Sequence, residues 1–128
     1  AEEFDKLANQ LLAPKEFVLP VRSPKSMTQS DSALYAANIG DEILCSVGGK
    51  VTHVGWQEGL GKCVRITDSK ATTWTYAHLD SIDVQAGRTI QAGTRIGTVG
   101  QTGNATEPCV ELLAHLEQSP LNVSKLLG

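Results

Sequence analysis

The chain has 128 residues, 41% of them hydrophobic and 20% charged, with a formal net charge of −3. That is enough chain for one domain with a real core, and an acidic balance without any Lys/Arg run argues against a nucleic-acid partner. No apolar run approaches the about 20 residues that cross a bilayer as a helix; no signal-peptide pattern is visible, which an excised domain would also show.

Glu2 to Ala13 places Phe4, Leu7, Leu11 and Leu12 on one helical face with acids in the first turn, and Pro14 ends the run. Residues 1–14 therefore read as an N-terminal helix. It is either a docking helix or the end of a longer helix or coiled coil that would make an oligomer, and residues 15–128 are the main domain. Phe17–Val21 reads as a short strand suited to an edge because of Pro20, and the Ser/Pro/Lys/Gln-rich stretch from Arg22 to Asp31 as loop. The texture then becomes all-β. Glu42–Val47 and Lys50–Trp56 flank Gly48-Gly49, a two-residue hairpin signal. Lys62–Thr67 and Thr72–His78 alternate apolar and polar residues about the turn-like Asp68–Ala71, giving a second hairpin. A near-repeat follows, Val84-Gln-Ala-Gly87 and Ile90-Gln-Ala-Gly93, and then the glycine-rich Ile96-Gly97-Thr-Val-Gly100-Gln-Thr-Gly103. These read as short strands joined by tight turns. Cys109–His115 is the last strand, and Ser119–Leu127 a short terminal helix.

Three cysteines, Cys45, Cys63 and Cys109, form no CxxC and read as small buried thiols in strands. A single disulfide is the alternative in an oxidising compartment, and sequence does not choose its pair. Trp56 and Trp74 read as core or groove-wall packing, His53 as a surface residue of a hairpin strand, and His115 as facing solvent near a strand end.

The order IGDEILCSVGGKVTHVGW, GKCVRITD, TYAHL, VxxGxxIxxGxxIGxxGxTG, a strand, and SPLNVSKLL resembles the LytM/lysostaphin-type zinc peptidases that cut peptidoglycan cross-bridges. The resemblance spans roughly Phe17 to Leu127. It implies an antiparallel β sandwich or partly open barrel with a groove on one face and short N- and C-terminal helices. In that family zinc is held by the His and Asp of an HxxxD loop and the second His of an HxH strand. Two further histidines, one in a YAHL-like motif and the first of the HxH, assist the attack of water.

Carried over position by position, the HxxxD falls on Ser30 and Leu34 and the HxH on Cys109 and Glu111; only His78 keeps its identity. A slip of one residue in the first loop would bring in Asp31. A catalytic zinc needs three protein ligands, so the resemblance implies a degenerate member with no catalytic residues, no metal and no cofactor, and not an enzyme. Ser30, Leu34, His78, Cys109 and Glu111 are then candidates for a binding groove. The implied role is a binding or regulatory module in the bacterial cell envelope, periplasmic or otherwise extracytoplasmic, through amidase activation, partner docking or peptidoglycan binding. The alternative is an active zinc endopeptidase on peptidoglycan with a non-standard Cys109/Glu111/His78 site, since Cys109 and Glu111 are two apart on a strand and share a face.

Overall fold

The structure is a computed structural model that describes residues 10–127. Most of the expected helix at Glu2–Ala13 lies outside the described residues; residues 10–12 are helical. Ten strands follow: β1 (Ser26–Gln29), β2 (Ala33–Ala36), β3 (Glu42–Leu44), β4 (Gly49–Gln57), β5 (Gly61–Thr67), β6 (Thr72–Ile82), β7 (Thr89–Ile90), β8 (Arg95–Val99), β9 (Cys109–Leu116) and β10 (Ser119–Leu121), before helix α1 (Val123–Leu127). Every pairing is antiparallel, and the main path runs β1-β2-β9-β6-β5-β4-β7, with β10 added to β9 and the β3–β8 pair joined through β6. The sheet is open, as the all-β reading expects.

One core lies against one face of this sheet. Tyr35, Val51, Val64, Ile66, Trp74, Tyr76, Val110 and Leu112 from the main path pack with Ile43, Cys45, Val47, Ile96 and Val99 from the β3–β8 region, and α1 adds Val123 and Leu126. The β3–β8 arm thus covers the core face. The alternate residues of the same strands point the other way, and these build the site.

Four local expectations are corrected. Gly48-Gly49 makes no hairpin: β3 pairs with β8, and β4 pairs with β5 and β7. These glycines serve close approach, since a Cβ on Gly49 would strike the Thr67 carbonyl and one on Gly48 would stand 3.0 Å from that of Ile90. Phe17–Val21 forms no strand; Pro20 has no N–H to give, and the segment is held by Val18 N–H to the Ser46 carbonyl (2.9 Å) and Leu44 N–H to the Pro20 carbonyl (2.8 Å). Within the expected loop Arg22–Asp31 sits β1, which forms a hairpin with the unanticipated β2. Its four residues are all exposed, so it has no buried face to give an alternating pattern. At the C-terminus, Ser119–Leu121 is a strand on β9, and the helix starts only after Asn122, whose side-chain oxygen accepts the Lys125 N–H (3.0 Å) as an N-cap.

Other expectations hold. The β5–β6 hairpin forms, with Asp68 accepting Lys70 N–H (2.9 Å), Thr72 N–H (3.0 Å) and Trp74 Nε1–H (3.0 Å). The near-repeat is a pair of equivalent turns: Arg88 N–H reaches the Gln85 carbonyl (3.3 Å) and Thr94 N–H that of Gln91 (3.1 Å), with Gly87 and Gly93 at φ +94° and +90°. That is the third position of a type II turn, which needs positive φ. Cys45, Cys63 and Cys109 are free and buried, although Cys45 follows β3 rather than lying in a strand. Trp74 is core, whereas Trp56 is 63% exposed, against expectation.

Candidate functional site

The site forms where β2, β9 and β6 run side by side. Leu34 and Ala77 both lie opposite Glu111 in register, and Cys109 lies opposite Ala36. Opposed residues of an antiparallel sheet share a face, as do residues two apart on one strand. Leu34, Cys109 and Glu111 are therefore brought together by register alone. His78 joins them through an irregularity. Between the Val64–Tyr76 and Lys62–Leu79 pairs, β6 has one residue more than β5, and His78 sits in that bulge at φ +73°. Such a backbone is uncommon for a residue with a Cβ and marks a place where the surroundings fix the chain. Its N–H is satisfied by the Leu60 carbonyl at 2.8 Å.

Leu34, Gly59, Leu60, His78, Asn104, Glu107, Cys109 and Glu111 border a cavity of about 360 Å³, together with Ala105 and Thr106. Ser30 does not line it. Its carbonyl accepts the Ser124 N–H (3.1 Å) and its N–H donates to the Ser32 carbonyl (2.8 Å), so the loop is tied to α1. Asp31 is likewise occupied, its carboxylate accepting Asn122 Nδ2–H at 3.0 Å. From this loop it is Ser32 that reaches the site: its hydroxyl donates to Glu111 Oε2 at 2.8 Å. Sequence reading missed Ser32 and the loop 101–107, whose contribution is chiefly backbone and leaves no side-chain signature.

The bonding of His78 decides its protonation. Nδ1 lies 2.7 Å from the Thr102 carbonyl oxygen and Nε2 lies 2.9 Å from Glu111 Oε1. A carbonyl only accepts, so Nδ1 carries a proton, and Nε2 shares a proton with the Glu111 carboxyl. The two side chains are 5% and 24% exposed, and they form an ion pair when His78 is protonated. The bond from Glu111 raises the His78 pKa above its ordinary 6.5 against the opposing effect of burial, and the Thr102 carbonyl adds to the rise. In return the bond from His78 lowers the Glu111 pKa, with Ser32 helping against burial. Burial pushes the Cys109 thiol up to about 11, helped by the charges of Glu111 and Glu107.

The donor set does not fit the zinc of the peptidases that the chain resembles. A ligand histidine must present an unprotonated nitrogen and a ligand cysteine a thiolate. Here both His78 nitrogens are engaged by acceptors, both Glu111 oxygens are engaged by His78 and Ser32, and Leu34 offers hydrocarbon. Among the described residues no three of His, Cys, Asp and Glu are grouped so as to hold a metal ion. The arrangement can instead offer a ligand a half-open, partly acidic cavity with the hydrogen-bonded His78–Glu111 pair on its wall.

His53 and His115 are half-buried at the surface. His115 has its pKa lowered by burial first and by the charge of Arg65 second.

Comparison with known proteins bears on this geometry. The sequence profile described as Peptidase family M23 matches residues 28–123. Over 88 residues the chain is 34% identical to the DD-carboxypeptidase/endopeptidase Mpg of Neisseria meningitidis, covering 69% of this chain and 20% of that protein. This chain thus spans about a fifth of that relative's length. Among solved structures, a zinc-containing peptidase from Vibrio cholerae superposes with a TM-score of 0.78 at 20% identity, over 90% of this chain and 40% of that one. The catalytic domain of lysostaphin from Staphylococcus simulans superposes with a TM-score of 0.70 at 21% identity, over 91% and 94%. At such identities these two structures speak for the fold.

Proposed function

Because the chain belongs to peptidase family M23, with the LytM/lysostaphin-type fold, we propose that it is a non-catalytic member acting as a binding or regulatory module of the bacterial cell envelope, outside the cytoplasm. The observation that carries this reading is that both ring nitrogens of His78 are engaged, by the Thr102 carbonyl and by Glu111, while Leu34 presents hydrocarbon to the same cavity. A histidine bonded at both nitrogens has none free for a metal or for a proton from water. With Leu34 and a protonated Cys109 beside it, the cavity lacks the means to generate a nucleophile. What it retains is shape: the cavity of about 360 Å³ is within the range of ligand sites. The ligand we assign to it is peptidoglycan, whose peptides the fold's cavity would grip without cutting. Docking to an envelope protein such as a cell-wall amidase is the competing form of the same role.

The test is incubation of the chain with purified peptidoglycan and added zinc. Sedimentation with the sacculi and no release of soluble fragments or new amino groups is expected. Cleavage that a chelator abolishes would instead establish the Cys109/Glu111/His78 peptidase. Binding to an amidase but not to sacculi would select the docking form, and binding to neither would remove the role altogether.

A further inference from the structure

The sheet face that carries Glu111 continues beyond the cavity, and there its charge changes sign. Two residues along β9 comes Leu113, which lies opposite Thr75; Thr75 lies opposite Arg65, and Arg65 opposite His53. His115, two further along β9, lies opposite Thr73. Arg65, His53 and His115 thus share the open face of β4, β5 and β9, each half-buried.

We propose that Arg65, with His53 directly opposite it on β4, receives the carboxylate of a short peptide laid across this face from the His78 cavity. The proposal rests on the binding role above and deepens it.

Arg65 lacks a counter-ion. Among the described residues the ion pairs engage Arg22, His78 and Arg95, and no carboxylate lies within 4.0 Å of Arg65. One Nη–H goes to the side-chain oxygen of Gln57, while Nε is buried with no partner. The Nε2 of His53, across the β4–β5 ladder, is likewise buried and unpartnered. Half-buried charge and a buried donor without an acceptor, here the Arg65 Nε–H, are costly, and an anion relieves both together. Glu111, an acid on this face, is already committed to His78 and Ser32. His115 is held toward its neutral form, partly by Arg65 itself, so positive charge here centres on the guanidinium. A planar fork with one edge uncommitted matches a carboxylate.

Spacing limits the ligand. Two strand separations and two residues along a strand put Arg65 about 12 Å from Glu111. An extended peptide covers that in roughly three to four residues. The face therefore suits a tri- or tetrapeptide whose body enters the cavity and whose free carboxyl end lies on Arg65.

The test is a titration of the chain with N-acetyl-tetraalanine as the free acid and as its C-terminal amide, followed by isothermal calorimetry and by the Arg65 Nε–H resonance. The acid is expected to bind at least tenfold more tightly than the amide and to shift that resonance. Arg65→Gln, checked for an intact melting transition, should erase the difference, and Arg65→Lys should restore only part of it. Equal affinities, absence of binding by the acid, or a folded Arg65→Gln variant that still discriminates would each overturn the carboxylate site. So would inorganic phosphate shifting the resonance as strongly as the peptide does, since that would mark an unselective anion site. Sacculus sedimentation separates this from the broader role. Wild type and Arg65→Gln sedimenting equally would sink the carboxylate site alone, whereas acid–amide discrimination without sedimentation would sink only the peptidoglycan assignment.

Discussion

The His78–Glu111 pair gives the stability of the domain a defined dependence on pH. The His78 pKa is raised above 6.5, so its contribution is complete below that pH and fades as pH rises through the raised value. The Glu111 pKa is lowered below 4.5, so its contribution is complete above that pH and fades as pH falls through the lowered value. Both are fully present together from pH 4.5 to 6.5. Glu111→Gln should therefore lower stability most within that window, by about 1–3 kcal/mol as a hydrogen bond to a charged group is weakened. It should also bring the His78 pKa down. Urea melts at several pH values and an NMR titration of the imidazole check the two effects; an unchanged His78 pKa would mean that the pair is not ionised.

At the scale of elements, the bulge that presents His78 is held by a contact between two glycines. Gly61, at the start of β5, and Gly103, in the loop after β8, stand back to back at φ +71° and +70°. A Cβ on Gly103 would lie 2.5 Å from Gly61 N and 2.6 Å from Gly59 O. Thr102, next along, takes the Lys62 N–H (3.1 Å) and donates to the Leu79 carbonyl (2.8 Å) through its hydroxyl, while its own carbonyl faces His78. Gly103→Ala should thus cost roughly 2–4 kcal/mol, combining left-handed strain with overpacking. It should also loosen His78, seen as a lowered imidazole pKa in variants that still fold. This arrangement explains what sequence could and could not convey. The glycine framework and the alternation of β5, β6 and β9 were legible, because turn geometry and a half-buried face impose them residue by residue. The shared face of Cys109 and Glu111 was legible from their spacing, whereas the place of Leu34 beside them came only through the resemblance, because the register of β2 on β9 is not written in the residues. Thr102 and Ser32 were not legible: one acts through its carbonyl, and the other depends on how α1 fixes the loop at 30–32. β1 escaped notice for a related reason, as a fully exposed edge strand carries no hydrophobic period. Gly48-Gly49 misled because glycine serves close backbone approach as readily as it serves a turn.

Over the whole molecule, the β3–β8 arm must stay closed on the core face for the opposite face to keep its shape. One buried link across this seam is the Ser46 N–H, which donates to the Tyr76 hydroxyl at 2.8 Å. Burial, foremost, raises the Tyr76 pKa, so the hydroxyl stays neutral. Tyr76→Phe should orphan that N–H and cost about 1–3 kcal/mol in denaturant unfolding, with the fold retained. A loss near zero would show that the seam is held by apolar packing alone. The three thiols lie across the same body: Cys45 beyond β3, Cys63 on β5 and Cys109 at the head of β9. Burial raises all three pKa values, to about 11 for Cys45 and Cys109. An alkylating reagent at neutral pH therefore finds little thiolate, and Cys45 and Cys63, which do not line the cavity, are reached only when the chain opens. The chain thus carries its own clock: the pace at which these two cysteines become labelled in native buffer times the opening of the arm and of the middle of the sheet.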